Sequence, residues 1–242
     1  MKTNPDAIVD VPLLEWGEFE ESFVAAWKEL SDEYGGEHVS IIGPPGQGKT
    51  TLAMRLLAAR ANARDSNVVV FGTKPRDPVL RNSGWPIVKS WPPGYGKEQV
   101  ILWPTYGDPR TAARRQREVF APVLAEIFRD GYRVVYIDEI TYFENDLRLG
   151  RLLHTLLAQG RSIPIAMMGG TQRPRGIDRA WYSHVSWIFF FRNQDEDDLR
   201  RIAEVGGTNP QTIRDVVREL PEHEFLLVRT RTGEMVRSKA AP

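Results

Sequence analysis

The 242-residue chain contains no cysteine. Disulfides and thiolate zinc sites are therefore excluded, and a reducing compartment suits it. It also lacks an excess of charge: 32 Lys and Arg balance 32 Asp and Glu, so no global basic field advertises nucleic acid. Any contact with a polyanion has to come from local patches, multiplied where subunits assemble. Long apolar runs are missing too. The greasiest stretch, residues 185–191, is far short of the roughly 20 residues a membrane-spanning helix needs, and it reads as a buried parallel strand. The opening Met1-Lys2-Thr3-Asn4-Pro5-Asp6 has no apolar signal core. The expectation is a soluble, cytoplasmic protein. Hydrophobic content of 41% against 26% charged places it with globular chains rather than disordered ones, and the length suits one sizeable α/β domain.

What is present starts with Gly43-Pro44-Pro45-Gly46-Gln47-Gly48-Lys49-Thr50, the G-x-x-x-x-G-K-[ST] phosphate-binding loop. It comes after an apolar run, 38–42, and precedes a helically spaced segment beginning Thr51-Leu52, the strand–loop–helix setting the motif requires. Glycines let the backbone N–H groups converge on phosphate oxygens, and the helix N-terminus adds partial positive charge. In this setting residues 43–51 are expected to bind ATP. Lys49 reaches the β- and γ-phosphates, and the Thr50 hydroxyl holds Mg²⁺.

Upstream, residues 1–14 read as an arm. Glu18 to Tyr34 reads as an amphipathic helix with Phe19, Phe23, Ala26, Trp27, Leu30 and Tyr34 on one stripe, closed by Gly35-Gly36. After the loop's helix a second strand spans 67–72. Residues 73–98 hold too many Pro and Gly for one regular element. There Arg76, Arg81, Lys89 and Lys97 alternate with Trp85, Trp91 and Tyr95, a mixture a nucleic-acid groove can use but ordinary surface also shows. A short strand at 99–103 is expected outside the core set. Arg110 to Asp130 reads as a helix that Pro122 should kink or restart. Arg110, Arg114, Arg115 and Arg117 near its start oppose the helix dipole; a solvated face and a phosphate-facing patch both fit.

The run 132–137 is a strand that ends in Asp138-Glu139. At the tip of a strand downstream of a P-loop, Asp138 is placed to hold Mg²⁺, and Glu139 to orient and deprotonate the attacking water. Leu149, Leu152, Leu153 and Leu156 form a helix closed by Gly160, with Arg161 directly after it. Residues 163–168 are a buried strand running into Gly169-Gly170-Thr171-Gln172-Arg173-Pro174. Gln172 is the candidate sensor of the γ-phosphate at that strand's tip. Next come a fifth core strand at 185–192, two short helices and a late strand at 224–229, then a basic tail expected to be loose.

Strands alternating with helices imply an α/β fold with a mostly parallel central sheet and helices on both faces. An extra strand between the P-loop and Asp138-Glu139, together with Glu139 itself, resembles the three-layer P-loop NTPases of the additional-strand, catalytic-Glu type. Thr171-Gln172-Arg173-Pro174, with the preceding 157–163, resembles the signature of the FtsK/HerA-type DNA-translocating ATPases. The likeness spans roughly 36–230, flanked by the arm and helix of 1–35 and the tail of 231–242. The resemblance implies ATP hydrolysis coupled to double-stranded DNA movement in a homo-oligomeric ring, expected to be a hexamer. It makes Arg161 an arginine finger reaching a neighbour's ATP. A stripped motor of this size is similar to the genome-packaging ATPases of small membrane-containing viruses. That implies a host-cytoplasm or virion-vertex location and a possible portal or membrane-vertex partner. A small-molecule or nucleoside kinase, and an ATPase driving protein secretion or conjugation, are the competing readings.

Overall fold

In the computed structural model, residues 10–240 are described apart from 35, 65–66, 93–97, 105–106 and 208, and apart from the side chains of 30–34, 64 and 161. The elements are α1 (Trp16–Tyr34), β1 (His38–Ile42), α2 (Lys49–Arg64), β2 (Asn67–Phe71), α3 (Pro78–Arg81), β3 (Ile87–Val88), β4 (Gln99–Leu102), α4 (Pro109–Asp130) and β5 (Arg133–Ile137). Then come α5 (Gly150–Gln159), β6 (Ile165–Thr171), α6 (Arg179–His184), β7 (Val185–Phe191), α7 (Glu196–Val205), α8 (Pro210–Glu219), β8 (Glu224–Arg229) and β9 (Met235–Lys239). One sheet runs in the order β3-β4-β2-β5-β6-β1-β7-β8-β9. It is parallel from β3 to β7, and β8 and β9 are antiparallel additions.

The central strands β1, β6 and β7 are buried along their whole length because helices cover both faces. Alternate residues serve opposite layers. On β7, Ile188 and Phe190 join the cluster that includes α4, α5, α7 and α8. Trp187, Phe189 and Phe191 join the cluster under α1 and α2. Helix α1 presents Phe19, Phe23 and Trp27 at helical spacing, all buried. Phe23 meets Trp187 and Phe189 edge-on, at centroid separations of 5.3 and 5.2 Å, the arrangement aromatic quadrupoles favour. Leu30 and Tyr34 of the expected stripe lie outside the described side chains, as do Tyr95 and Lys97 of the 73–98 stretch.

Three expectations change. The 99–103 strand is inside the sheet: β4 lies between β3 and β2, with Val100, Ile101 and Leu102 fully buried. Its four-residue length, wedged among turn formers, hides that role in the sequence. Part of the expected loose tail is β9, paired with β8. The end of the arm meets β9 in turn, through a parallel bridge from Leu13 to Arg237 and a 2.9 Å bond from Leu14 N–H to the Arg237 carbonyl. Finally, α4 does not restart at Pro122 but continues through it as one helix. Pro122 is exposed, so its ring and missing N–H fall on the solvent side.

Two glycines of β6 let neighbouring elements close on the strand's tip. A Cβ on Gly170 would stand 2.6 Å from the Asp138 carbonyl oxygen. Gly170→Ala is expected to lower stability by about 1–3 kcal/mol and to push Asp138 out of place. Thermal melting checks this, and an unchanged midpoint would contradict it.

Candidate nucleotide site

The C-terminal ends of β1, β5 and β6 lie side by side, so the segments leaving these three strands converge. The P-loop leaves β1 with Gly43 N–H bonded to the Thr171 carbonyl of β6 at 3.1 Å. Gly46 and Gly48 take φ of +80° and +97°, conformations that suit glycine and bend the loop back to start α2. Lys49 opens that helix. It is nearly buried, and its ammonium donates to the Pro44 carbonyl at 2.8 Å. Burial lowers its pKa to about 8, against the opposing pull of Glu139 and Asp138.

Thr50 Oγ1 donates to Asp138 Oδ1 at 2.8 Å, joining the P-loop to the tip of β5. Tyr136, fully buried, donates its hydroxyl to the same oxygen at 2.9 Å. Burial drives the phenol's pKa well above its ordinary value, and Asp138 adds to the shift. Asp138 is thus held from two sides and only 3% exposed. Glu139 accepts from Thr171 Oγ1 at 3.3 Å. Burial raises its pKa, the charge on Asp138 raises it further, and Lys49 opposes both.

The structure therefore gathers Lys49, Thr50, Asp138 and Glu139 into one cluster. Gln172 comes directly after the tip of β6 and is half-buried. It has no hydrogen-bond partner among the described residues. In the loop, Pro45 is exposed while Pro44 and Gln47 are half-buried. Thr51, on the first turn of α2, faces a groove against α3. Arg161 lies elsewhere: its backbone is in a 3-10 turn, Gly160–Ser162, before the N-terminal end of β6, whereas the P-loop is at the C-terminal ends. Its side chain is outside the described residues. Arg110, Arg114, Arg115 and Arg117 are exposed on the first turns of α4; Arg110 pairs with Asp108 and Arg114 with Glu118.

Sequence reasoning misses three members. Thr171 links the Glu139 carboxylate to β6, and Tyr136 braces Asp138 from inside its own strand. Lys74, just past β2, forms an ion pair with Asp138. The continuous apolar run of β5 puts Tyr136 indoors, where its hydroxyl needs a partner, and that signal is in the sequence. Nothing local marks Lys74.

Among the described residues no three or more His, Cys, Asp or Glu side chains gather as a metal cluster. Mg²⁺ takes one or two protein oxygens and completes its shell with water and phosphate. A hydroxyl and a carboxylate oxygen 2.8 Å apart beside a P-loop are such a donor set.

No protein-family model matches the sequence, and no curated protein matches it either. Solved structures do. B204, described as the DNA-packaging ATPase from Sulfolobus Turreted Icosahedral Virus, superimposes with a TM-score of 0.67 at 16% identity, covering 86% of this chain and 100% of that one. The genome packaging NTPase B204 from Sulfolobus turreted icosahedral virus 2, in complex with ATP-gammaS, gives 0.61 at 16% identity over 84% and 97%. VirB4 of Thermoanaerobacter pseudethanolicus gives 0.64 at 11% identity over 85% and 89%. With its parallel core, flanking helices and P-loop at the end of β1, the chain shares its three-layer P-loop fold with B204 and VirB4.

Proposed function

We propose that the chain is an ATPase that hydrolyses Mg²⁺–ATP and couples the cycle to movement of double-stranded DNA, working as one subunit of a homo-oligomeric ring. The observation that carries the ATPase reading is the convergence of Lys49, Thr50, Asp138 and Glu139 on adjoining strand ends, tied by the 2.8 Å bond from Thr50 to Asp138. Backbone N–H groups of 43–51 cradle the phosphates. Lys49 stabilises charge on the γ-phosphoryl group. Thr50 and Asp138 are the residues that would hold Mg²⁺, which supplies charge neutralisation when bound. Glu139, its pKa raised, accepts a proton from the attacking water. Gln172 meets the γ-phosphate side and carries the change into the segment after β6.

Placement also favours a ring. Arg161 precedes β6, and that strand is about 20 Å long at the usual rise per residue. It stands at the wrong end of the sheet for its own P-loop, which is what a finger for a neighbour's ATP requires. The DNA reading draws on the proteins of the same fold, whose descriptions name DNA packaging and genome packaging. The exposed arginines of α4 add to it.

Size-exclusion chromatography with ATPase assays tests the whole. The expected result is a ring whose turnover rises with duplex DNA. Replacing Arg114, Arg115 and Arg117 together by Gln should flatten the log–log salt dependence of DNA binding by about 2 to 3. An unchanged slope assigns that patch to plain surface. Stimulation by a nucleoside with a phosphorylated product would instead identify a kinase.

A further inference from the structure

Lys74 has no part in that mechanism, yet its ammonium contacts Asp138 Oδ2, the oxygen that Thr50 and Tyr136 leave open. The contact is built in. Trp103 Nε1 donates to the Lys74 carbonyl at 2.7 Å, and Gln116 Nε2 donates to the Thr73 carbonyl at 3.0 Å. Together they clamp the chain as it leaves β2. A second carboxylate waits beside the first: Lys74 Nζ lies 3.7 Å from Asp77 Oδ2. Asp77 Oδ1 is occupied in capping α3, accepting from Val79 N–H at 3.0 Å and Leu80 N–H at 3.1 Å. The ammonium therefore stands between two acids that are each under a tenth exposed.

We infer that Lys74 is the stand-in for the divalent cation. In the nucleotide-free subunit it neutralises the Asp138 and Glu139 pair and keeps Asp138 oriented toward Thr50. On loading with metal and nucleotide it yields Asp138 and moves to Asp77. The inference rests on Asp138 being the metal-holding carboxylate. Its physical basis is the local charge. Asp138 is buried, Glu139 beside it is half-buried, and a polyphosphate brings further negative charge beside them. Desolvated like charges repel strongly, so an empty site needs a cation of its own. A lysine on a flexible stem can supply one and then withdraw. The move is short because Asp77 is already within reach, and it leaves neither acid unpaired.

Equilibrium binding of a fluorescent, slowly hydrolysed ATP analogue, with Mg²⁺ and with EDTA, tests this. Lys74→Met should weaken binding in EDTA at least about tenfold and leave binding with Mg²⁺ unchanged. Lys74→Arg should recover most of the loss in EDTA. Asp77→Asn keeps the cap on α3 but removes the second seat. It should leave binding in EDTA intact and weaken binding with Mg²⁺, and it decides the matter if Lys74→Met does not fold. Equal losses under both conditions would make Lys74 a phosphate ligand and overturn the stand-in role, as would no loss in either. Asp138→Asn tests the underlying reading separately. Mg²⁺ should tighten binding to the unmodified protein, and this variant should lose that gain. If the gain persists, Asp138 is not the metal-holding residue, whatever Lys74 does.

Discussion

Replacing Glu139 by Gln is expected to leave ATP bound and to cut hydrolysis about 100- to 10,000-fold. The expectation follows from the surroundings of the carboxylate. It comes next after Asp138 at the tip of β5, accepts from Thr171 at 3.3 Å, and faces the Lys49 side of the P-loop. Burial and the neighbouring Asp138 raise its proton affinity, which makes it a better acceptor for a water proton than an exposed glutamate. Gln keeps the shape and can still meet Thr171, but it cannot take a proton. Fold and nucleotide binding should therefore survive while turnover stops. Analogue binding measured beside single-turnover hydrolysis separates the two. A variant that hydrolyses at the original rate would remove Glu139 as the base, and one that no longer binds would show its role to be structural.

Arg161→Ala should lower turnover about a thousandfold or more, the usual effect of losing an arginine finger, with no change in the fold of the single subunit. Arg161 lies in the turn before β6, far from the P-loop of its own chain. Its effect must then appear in mixed assemblies. Rings combining Arg161→Ala subunits with Glu139→Gln subunits should regain hydrolysis where an intact Glu139 site borders an intact Arg161. Turnover that tracks only the average of the two parents would end the proposal that Arg161 acts across the subunit boundary.

The parts of the site legible in the sequence are those with local marks. The P-loop carries its own spacing, and Asp138-Glu139 stands out as two acids ending an apolar strand. The strand that leads into Gln172 is also legible as a buried run, and the sheet order β5-β6-β1 sets its tip between those two segments. What escapes depends on distant partners. Lys74 and Asp138 are 64 positions apart, and only the pairing of β2 with β5 brings them together. The 99–103 strand is misplaced by sequence alone because four apolar residues among prolines do not reveal that β2 needs a neighbour. The tail is misjudged because the pairing of β9 with β8 and its bridge to Leu13 outweigh its charged composition.

Strand β6 is buried at all seven positions and bonded to a neighbour along both sides. It leaves little room to bend. If Gln172 responds to phosphate loss at one tip and Arg161 serves the adjoining protomer near the other, the strand is a stiff connecting rod between two successive ATP sites. Firing order around the circle would then be passed on by rigid displacement rather than by the folding and unfolding of a loop.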